Sequence, residues 1–223
     1  DDGRKRYAQN CIGLARSIPA VLRPKDEAAV QAAMAVARDC GVPLHPISTG
    51  RNWGYGGAIP ASSHAAGMDL SAMRAIAWRD RELGLIRLQP GVTHGQLSEF
   101  LAAEGAPFLV PVTGAGPTGS LVGNALERGY GITPHADHFA AVRTIRAVLA
   151  DGSIYRSAMA ESGADLVDAA YKWGTGPYLD GLYSQGGFGI VTEMTLALAP
   201  RPERIEAFAI GYDDIGRYAF TYG

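Results

Sequence analysis

Residues 46–57, PISTGRNWGYGG, constrain the fold more than any other stretch of this chain. Four of these twelve residues are glycine, and few of the others carry a side chain that fills a core. The preceding run, VPLHPIS at 42–48, is typical of a strand. A glycine-rich loop directly after a strand can aim successive backbone N–H groups at an anion. An ordinary wide turn is the alternative.

The spacing inside this loop excludes the two common nucleotide-binding motifs. Residues 55–60, YGGAIP, cannot continue as the helix that G-x-G-x-x-G opens, and no lysine follows as it does in a P-loop. Ser48 and Thr49 supply hydroxyl donors and Arg51 supplies a positive charge. The residue types therefore favour an anion, but not through either familiar motif.

Two further glycine-rich stretches strengthen this interpretation. Residues 116–131, GPTGSLVGNALERGYG, place small and hydrogen-bonding side chains at a predicted helix start. Residues 185–189, QGGFG, lead directly into a predicted strand. Two separate donor-rich loops in one domain suit a diphosphate.

Local patterns predict an α+β fold. The predicted elements are a β-α-β unit over 18–48 with its helix at 26–40, a helix at 93–105 capped by Thr93 and Gln96, a hairpin over 142–157 around Asp151-Gly152, a helix over 161–174 capped by Ser162, and a half-buried strand at 189–200. Hairpins require antiparallel pairing, which disfavours a single doubly wound sheet. We therefore expect two α/β lobes, divided near residues 70–85.

Composition excludes several classes of protein. The chain has 223 residues, 47% of them hydrophobic, which suits one large domain or two small ones. Its 20 basic and 22 acidic residues give a net charge of −2, which argues against nucleic acid. No apolar run reaches about 18 residues, so a soluble protein is expected, cytoplasmic or periplasmic. Cys11 and Cys40 are too few for a disulfide scaffold, and we expect two unpaired thiols.

Four motifs together resemble one family. PISTGRNWGYGGAIP, LQPGVTHGQLSEFL, GNALERGYGITPHADHF and GTGPYLDGLYSQGGFGIVTEMTLALAP occur in the order seen in the FAD-binding domain of the p-cresol methylhydroxylase and vanillyl-alcohol oxidase flavoproteins. The resemblance covers residues 18–202 and is greatest to the 4-alkylphenol branch. It implies two α/β subdomains that clasp FAD between them. It also implies oxidation of a para-substituted phenol, with oxygen or a cytochrome c as electron acceptor, in a protein that forms a homo-oligomer.

The resemblance further implies which residues contact FAD. The set comprises Pro46, Ser48, Thr49, Gly50, Arg51, Asn52, Gly54, Tyr55 and Gly56 from the first loop, Pro111, Gly116, Thr118, Gly119, Ser120, Gly123, Asn124 and Gly131 from the second region, and Gly189, Ile190 and Val191 at the last strand. For Ile190 and Val191 a plain role in the strand core is the alternative. Asn52 stands where berberine-bridge-type relatives carry a histidine that tethers the flavin, so attachment at that position is excluded.

Asp137 is the predicted catalytic residue. In the resembling motif, TPHADH, an acid lies near flavin N5, where its charge guides hydride transfer or stabilises the electron-poor product. A metal site using His135, Asp137 and His138 is the rival interpretation, but no distant partner motif supports it. For Glu127 and Arg128 we favour a structural ion pair over a catalytic role.

The resemblance also predicts the domain arrangement. Residues 1–202 correspond to the FAD-binding domain, and residues 203–223 to the start of the substrate (cap) domain that supplies the phenol-binding residues of the family. The alternative function is a non-catalytic FAD-binding or assembly module that lacks a substrate domain. A nucleotide-binding enzyme of another kind comes third.

Overall fold

The computed structural model of this protein describes residues 2–8, 10, 13–51, 57–131 and 136–206. Within these residues the chain forms helices and two β-sheets. The helices are α1 (Asp2–Lys5), α2 (Glu27–Asp39), α3 (His94–Ala103), α4 (Leu121–Leu126), α5 (Ala158–Glu161), α6 (Asp165–Ala170) and a 3₁₀ turn (Asp180–Tyr183). The strands are β1 (Val21–Leu22), β2 (Leu44–Ile47), β3 (Ala66–Asp69), β4 (Ile76–Asp80), β5 (Leu85–Leu88), β6 (Val142–Leu149), β7 (Ile154–Arg156) and β8 (Gly189–Ala197).

The first sheet is parallel and has three strands in the order β1-β3-β2. Helix α2 connects β1 to β2, as the predicted β-α-β unit requires, and β3 is inserted between these two strands. Asp26 caps α2 by accepting a hydrogen bond from the Ala29 amide at 2.8 Å. Gly41 follows the helix with φ of 63°, the left-handed conformation that commonly ends helices.

The second sheet is antiparallel and has five strands in the order β4-β5-β8-β6-β7. The turn at Asp151-Gly152 joins β6 to β7 as predicted. The expectation that β8 is half-buried is wrong, since this strand buries residues on both faces of the sheet. A β-bulge where β8 passes Arg146 and Ala147 shifts the register. Val191 and Met194, an odd number of residues apart, therefore join the same core cluster.

Helix α3 begins as the sequence predicts. The predicted helix over 161–174 is correct only in part, since α6 covers just Asp165–Ala170 of that range, and its predicted cap at Ser162 is wrong. Thr93 accepts from the Gln96 amide, while the Gln96 side chain accepts from the Thr93 amide at 3.0 Å, which is a capping box. Ser162 follows the end of α5 instead of opening a helix, and its hydroxyl donates to the Met159 carbonyl at 2.7 Å. Gly163, with φ of 77°, then breaks the chain direction before α6.

The two sheets share buried apolar contacts. Val30 of α2 and Met68 of β3 cluster with Val148 of β6 and Ile190 of β8. A polar contact adds to this junction, because Arg146 donates two hydrogen bonds of 2.7 Å to the carboxylate of Glu27 at the start of α2. Ile47 at the end of β2 and Gly189 at the start of β8 line the same cavity.

Candidate cofactor site

The first glycine-rich loop leaves β2 at Ile47. Gly50 has φ of 67°, and a Cβ there would lie 3.1 Å from the Ala58 Cβ, so both the backbone conformation and the available space favour glycine. The predicted contacts Asn52, Gly54, Tyr55 and Gly56 lie outside the residues that the structure describes.

The second loop is fixed by Ser120, which caps α4. The Ser120 hydroxyl donates to the Pro90 carbonyl at 2.6 Å and accepts from the Gly123 amide at 3.0 Å. A Cβ on Gly123 would lie only 2.8 Å from the hydroxyl oxygen of Ser48. Glycine at position 123 therefore lets the first and second loops touch.

The third loop is tied to the end of α4. The backbone amide of Gln185 donates to the Leu126 carbonyl at 2.8 Å, and the chain then continues into β8. Arg128 has φ of 54° and its guanidinium donates to the Ser184 hydroxyl at 3.1 Å. The expected pairing of Arg128 with Glu127 is therefore replaced by a bond to Ser184, because the left-handed turn at Arg128 carries its side chain toward the third loop.

The three loops surround one cavity of about 890 Å³. The predicted contacts that line it are Pro46, Ser48, Thr49, Gly50, Arg51, Gly119, Ser120, Gly123, Asn124, Gly189, Ile190 and Val191. Four other predicted contacts, Pro111, Gly116, Thr118 and Gly131, do not line it, and their roles stay predictions.

The cavity has the size and the chemistry that a dinucleotide needs. Cofactor pockets commonly measure about 300–1,000 Å³. The hydroxyls of Ser48 and Thr49 are donors for a diphosphate, as is the guanidinium of Arg51. Leu70, Val122 and Ile190 supply apolar wall for flat rings. The described residues therefore fit FAD.

The cavity also contains residues that sequence reasoning missed. These are chiefly His45, His94, Thr113, Gly114, Ala115, Tyr130 and Gln185. Thr113 and Gly114 belong to a run, PVTGAGPTG, whose glycine spacing could have revealed them. His94 carries no such signal, because packing of α3 against the second loop decides where it lies.

His94 of α3 holds the second loop in place through two hydrogen bonds to Gly119. Its Nδ1 lies 2.8 Å from the Gly119 carbonyl oxygen, so Nδ1 carries the proton and donates. The backbone amide of His94 donates to the same oxygen at 3.0 Å. Burial lowers the pKa of His94 below its usual value, which favours the neutral ring.

Asp137, the predicted catalytic residue, is exposed and does not line the cavity. Its carboxylate accepts from the amides of Phe139 and Ala140 at 3.0 and 3.1 Å, which forms an Asx turn. Asp137 pairs in an antiparallel bridge with Tyr130, a residue of the cavity wall. The next residue in the chain, His138, is buried and hydrogen-bonds Asn124 through Nδ1.

Buried polar groups support the segment before β8. Asp180 is 3% exposed and accepts from the hydroxyls of Tyr155 at 2.5 Å and Ser157 at 2.7 Å. Burial raises the pKa of Asp180 above its usual value, against the effect of these donors. Burial also raises the pKa of Tyr183 to about 12, so this cavity residue keeps its proton.

Other kinds of site are not found in the part of the chain that the structure describes. Within it, His, Cys, Asp and Glu side chains form no group of three that could hold a metal ion. His135 of the rival metal interpretation lies outside these residues. Across the same residues, the helices are too short or too polar to cross a membrane.

Comparison with known proteins defines the class of protein. Residues 18–158 match the FAD binding domain family, so the chain belongs to this family of flavoproteins, and FAD is its cofactor. The fold is that of p-cresol methylhydroxylase: a solved structure of that enzyme with substrate bound superposes with a TM-score of 0.83 at 30% identity, covering 91% of this chain and 40% of that one.

Two curated relatives are similar in sequence. The chain is 40% identical over 191 residues to the 1'-carboxy-chondrochloren decarboxylase of Chondromyces crocatus, covering 86% of this chain and 35% of the relative. It is 34% identical over 185 residues to the 4-cresol dehydrogenase [hydroxylating] flavoprotein subunit of Pseudomonas putida, covering 83% and 36%. The chain therefore spans little more than a third of the length of these relatives.

Proposed function

We propose that this chain is the cofactor-binding part of an FAD-dependent oxidoreductase that oxidises a para-substituted phenol by hydride transfer to flavin N5. The observation that carries the proposal is the convergence of three glycine-rich loops on one donor-lined cavity. FAD supplies the hydride acceptor when bound. The similarity to the 4-cresol dehydrogenase flavoprotein subunit supports a phenolic substrate.

The chain's own residues divide into two roles in this proposal. Ser48, Thr49 and Arg51 bind the diphosphate, and the glycines let backbone amides approach it. Ser120 lines the cavity and keeps the second loop in place through its hydrogen bonds to Pro90 and Gly123. The other predicted contacts on the cavity wall complete the site, and we propose that Asn52, Gly54, Tyr55 and Gly56 of the first loop join them. Asp137 stabilises positive charge that develops on the substrate as hydride leaves.

Flavin binding is tested first by an absorption spectrum of the purified protein before and after acid precipitation. We expect flavin absorption bands in the native protein. After acid precipitation, flavin that stays with the precipitated protein is covalently bound, whereas flavin released into the supernatant is not. A colourless protein that takes up no added FAD contradicts the proposal.

A matched pair of glycine variants tests the cavity itself. Gly123→Ala places a Cβ 2.8 Å from the Ser48 hydroxyl, whereas at Gly187 a Cβ meets nothing within 4 Å. We expect Gly123→Ala to weaken FAD binding about tenfold, equivalent to about 1.4 kcal/mol, and Gly187→Ala to leave it unchanged. Equal affinities in titrations of the two variants would argue that FAD binds elsewhere.

Asp137→Asn tests the catalytic proposal. Asparagine can keep the Asx turn while removing the charge. We expect flavin reduction by a 4-alkylphenol to slow about 100-fold in stopped-flow measurements, with FAD affinity unchanged. Asp151→Asn is the control, because Asp151 also forms an exposed Asx turn, accepting from the Ser153 amide at 2.9 Å. Equal reduction rates in both variants would leave Asp137 a structural residue.

The relative named a decarboxylase favours a second candidate, oxidative decarboxylation of a phenol whose side chain bears a carboxylate. In that reaction a hydride leaves the benzylic carbon, CO₂ leaves the next carbon, and the electrons of the broken C–C bond form the new double bond. CO₂ release equal to flavin reduced would favour this candidate over simple phenol oxidation. FAD binding without reduction by either substrate would favour a non-catalytic module.

Electron acceptor and assembly follow from the same family proposal. Reoxidation of the reduced flavin by oxygen or by a cytochrome c is compared directly in the stopped-flow instrument. Light scattering of the whole gene product tests the expected homo-oligomer.

A further inference from the structure

Tyr130 differs from the other residues of the cavity wall. It lines the cavity, yet it is 74% exposed, the highest value among the large apolar side chains that the structure describes. A tyrosine ring left in water at a cavity mouth offers a flat apolar face and a polar tip. Contact with a ligand in the cavity would cover that face.

The backbone around Tyr130 is held tightly. A Cβ on Gly129 would collide with the Asn124 side chain, and a Cβ on Gly131 would collide with the Val112 carbonyl. Neither neighbour can therefore carry a side chain, and Tyr130 is the residue of this segment that projects outward. Close packing on both sides fixes the position from which its ring extends.

Tyr130 and Asp137 are partners across a short antiparallel ladder. The Gly131 amide donates to the Ala136 carbonyl at 2.9 Å, and the His138 amide donates to the Gly129 carbonyl at 3.1 Å. This pattern makes Tyr130 and Asp137 a non-hydrogen-bonded pair, in which Cα atoms are about 4.5 Å apart and side chains leave the same face. The ring and the carboxylate therefore stand side by side at the mouth.

The ladder is hydrogen-bonded to α4, which forms part of the cavity wall. His138, next to Asp137, is 3% exposed and hydrogen-bonds Asn124 of α4, which lines the cavity. On the outer side, the amine of Lys172 donates to the Ala140 carbonyl at 3.1 Å. The ladder is thus held to α4 on one side and to the Lys172 loop on the other.

We propose that Tyr130 contacts a planar aromatic ring held in the cavity beside Asp137. The proposal rests on the proposed function and deepens it by naming a ring-binding residue. The shared chemistry is a flat aromatic surface, which either a ring of FAD or the phenol substrate supplies. Offset or edge-to-face contact between aromatic rings contributes enough to change affinity about two- to tenfold.

The test uses the whole gene product with Tyr130→Phe, Tyr130→Leu and Tyr130→Ala. Leucine keeps apolar bulk and removes the ring, so it separates ring contact from simple burial. Tyr171→Ala is the control, since Tyr171 is a 55% exposed tyrosine that does not line the cavity. The measurements are the Kd for FAD, the fluorescence of bound flavin, and kcat and KM for 4-cresol; circular dichroism checks folding.

Two results support the proposal and identify the ring. A two- to tenfold higher Kd for FAD in the Leu and Ala variants, with brighter bound flavin and a near-normal Phe variant, assigns the contact to the cofactor. An unchanged Kd with a two- to tenfold higher KM and a similar kcat assigns it to the substrate. Leu and Ala variants that match Tyr171→Ala in every measurement overturn it.

The wild-type protein separates failure of this proposal from failure of the proposed function. If wild type binds FAD but phenols do not reduce it, the phenol-oxidising function fails, and the Kd and fluorescence measurements alone decide the Tyr130 contact. If wild type binds no FAD, both proposals fall.

Discussion

The apolar core around the five-stranded sheet contrasts with the charged end of the three-stranded sheet. Leu88, Leu97, Val122 and Met194 are fully buried in one cluster on the large sheet. The small sheet has strands of only two to four residues, and its central strand ends in Asp69, a carboxylate that is 2% exposed.

Buried polar contacts take the place of a large core in the small sheet. Asp69 accepts hydrogen bonds from Arg6 at 2.7 Å, from Tyr7, and from the Ser71 amide at 2.9 Å. Arg6 and Tyr7 lie in the N-terminal segment, so one carboxylate connects that segment to β3. The small sheet therefore depends on a few specific contacts, whereas many interchangeable apolar contacts stabilise the large one.

The largest expected effect comes from the large core. Met194→Ala removes a fully buried side chain from the central strand and should lower the free energy of unfolding by about 2–5 kcal/mol in urea denaturation. Leu83→Ala is the control, because Leu83 is 55% exposed, and its effect should stay within about 0.5 kcal/mol. Similar losses in the two variants would mean that this cluster is not the main core.

The second test breaks the charged end of the small sheet. Asp69→Asn removes the charge beside Arg6 and should cost about 2 kcal/mol. Burial alone would raise the pKa of Asp69, but hydrogen bonds from Ser71 and Tyr7 lower it below its usual value. The contribution is thus present at neutral pH and is lost as pH falls through the lowered folded-state pKa.

The control for Asp69 is Asp39→Asn, since the Asp39 side chain is 72% exposed. It should change stability by less than about 0.5 kcal/mol. Limited proteolysis adds a local readout: cleavage of the N-terminal segment should accelerate in Asp69→Asn alone. An unchanged cleavage rate would show that other contacts hold this segment.

The third test addresses the junction between the sheets. Glu27→Gln weakens the ion pair between Glu27 and Arg146, whose side chains are 24% and 34% exposed, respectively. The substitution should lower the free energy of unfolding by about 1–2 kcal/mol at pH 7. The hydrogen bonds from Arg146 lower the pKa of Glu27. Stability from this carboxylate is therefore full above its unfolded pKa of about 4.3 and is lost as pH falls through the folded value.

We accordingly expect the difference between wild type and Glu27→Gln to shrink as denaturation is repeated from pH 6 toward pH 3. Glu104→Gln provides a matched surface pair, because Arg81 and Glu104 are 52% and 40% exposed. Its effect should stay below about 0.5 kcal/mol. A difference for Glu27→Gln that grows toward low pH would contradict the assigned pKa shift.

The smallest expected effects come from the helix caps, one for each sheet. Asp26→Ala at α2 and Thr93→Ala at α3 each remove a side-chain acceptor from a helix start and should cost about 1 kcal/mol. Both are measured by thermal unfolding. Losses near zero would show that packing alone holds the helix ends.

Short-range signals in the sequence predicted much of the fold and part of the site. The cap at Thr93, the turn at Asp151-Gly152 and the three glycine-rich loops depend on a few neighbouring residues, so their patterns are legible without the fold. These signals, with the order of the four motifs, led to the FAD-binding family that comparison with known proteins confirms.

The tertiary structure decided what depends on distant partners. Insertion of β3 between β1 and β2, and the bulge that re-aims β8, follow from strand pairing that local patterns do not specify. The pairing of Tyr130 with Asp137 at the cavity wall likewise depends on contacts that local patterns do not specify. The sequence by itself determined which loops are rich in glycine and leave their backbone amides open to a ligand. Packing determined which side chains face the cavity, because that depends on contacts between residues far apart in the chain.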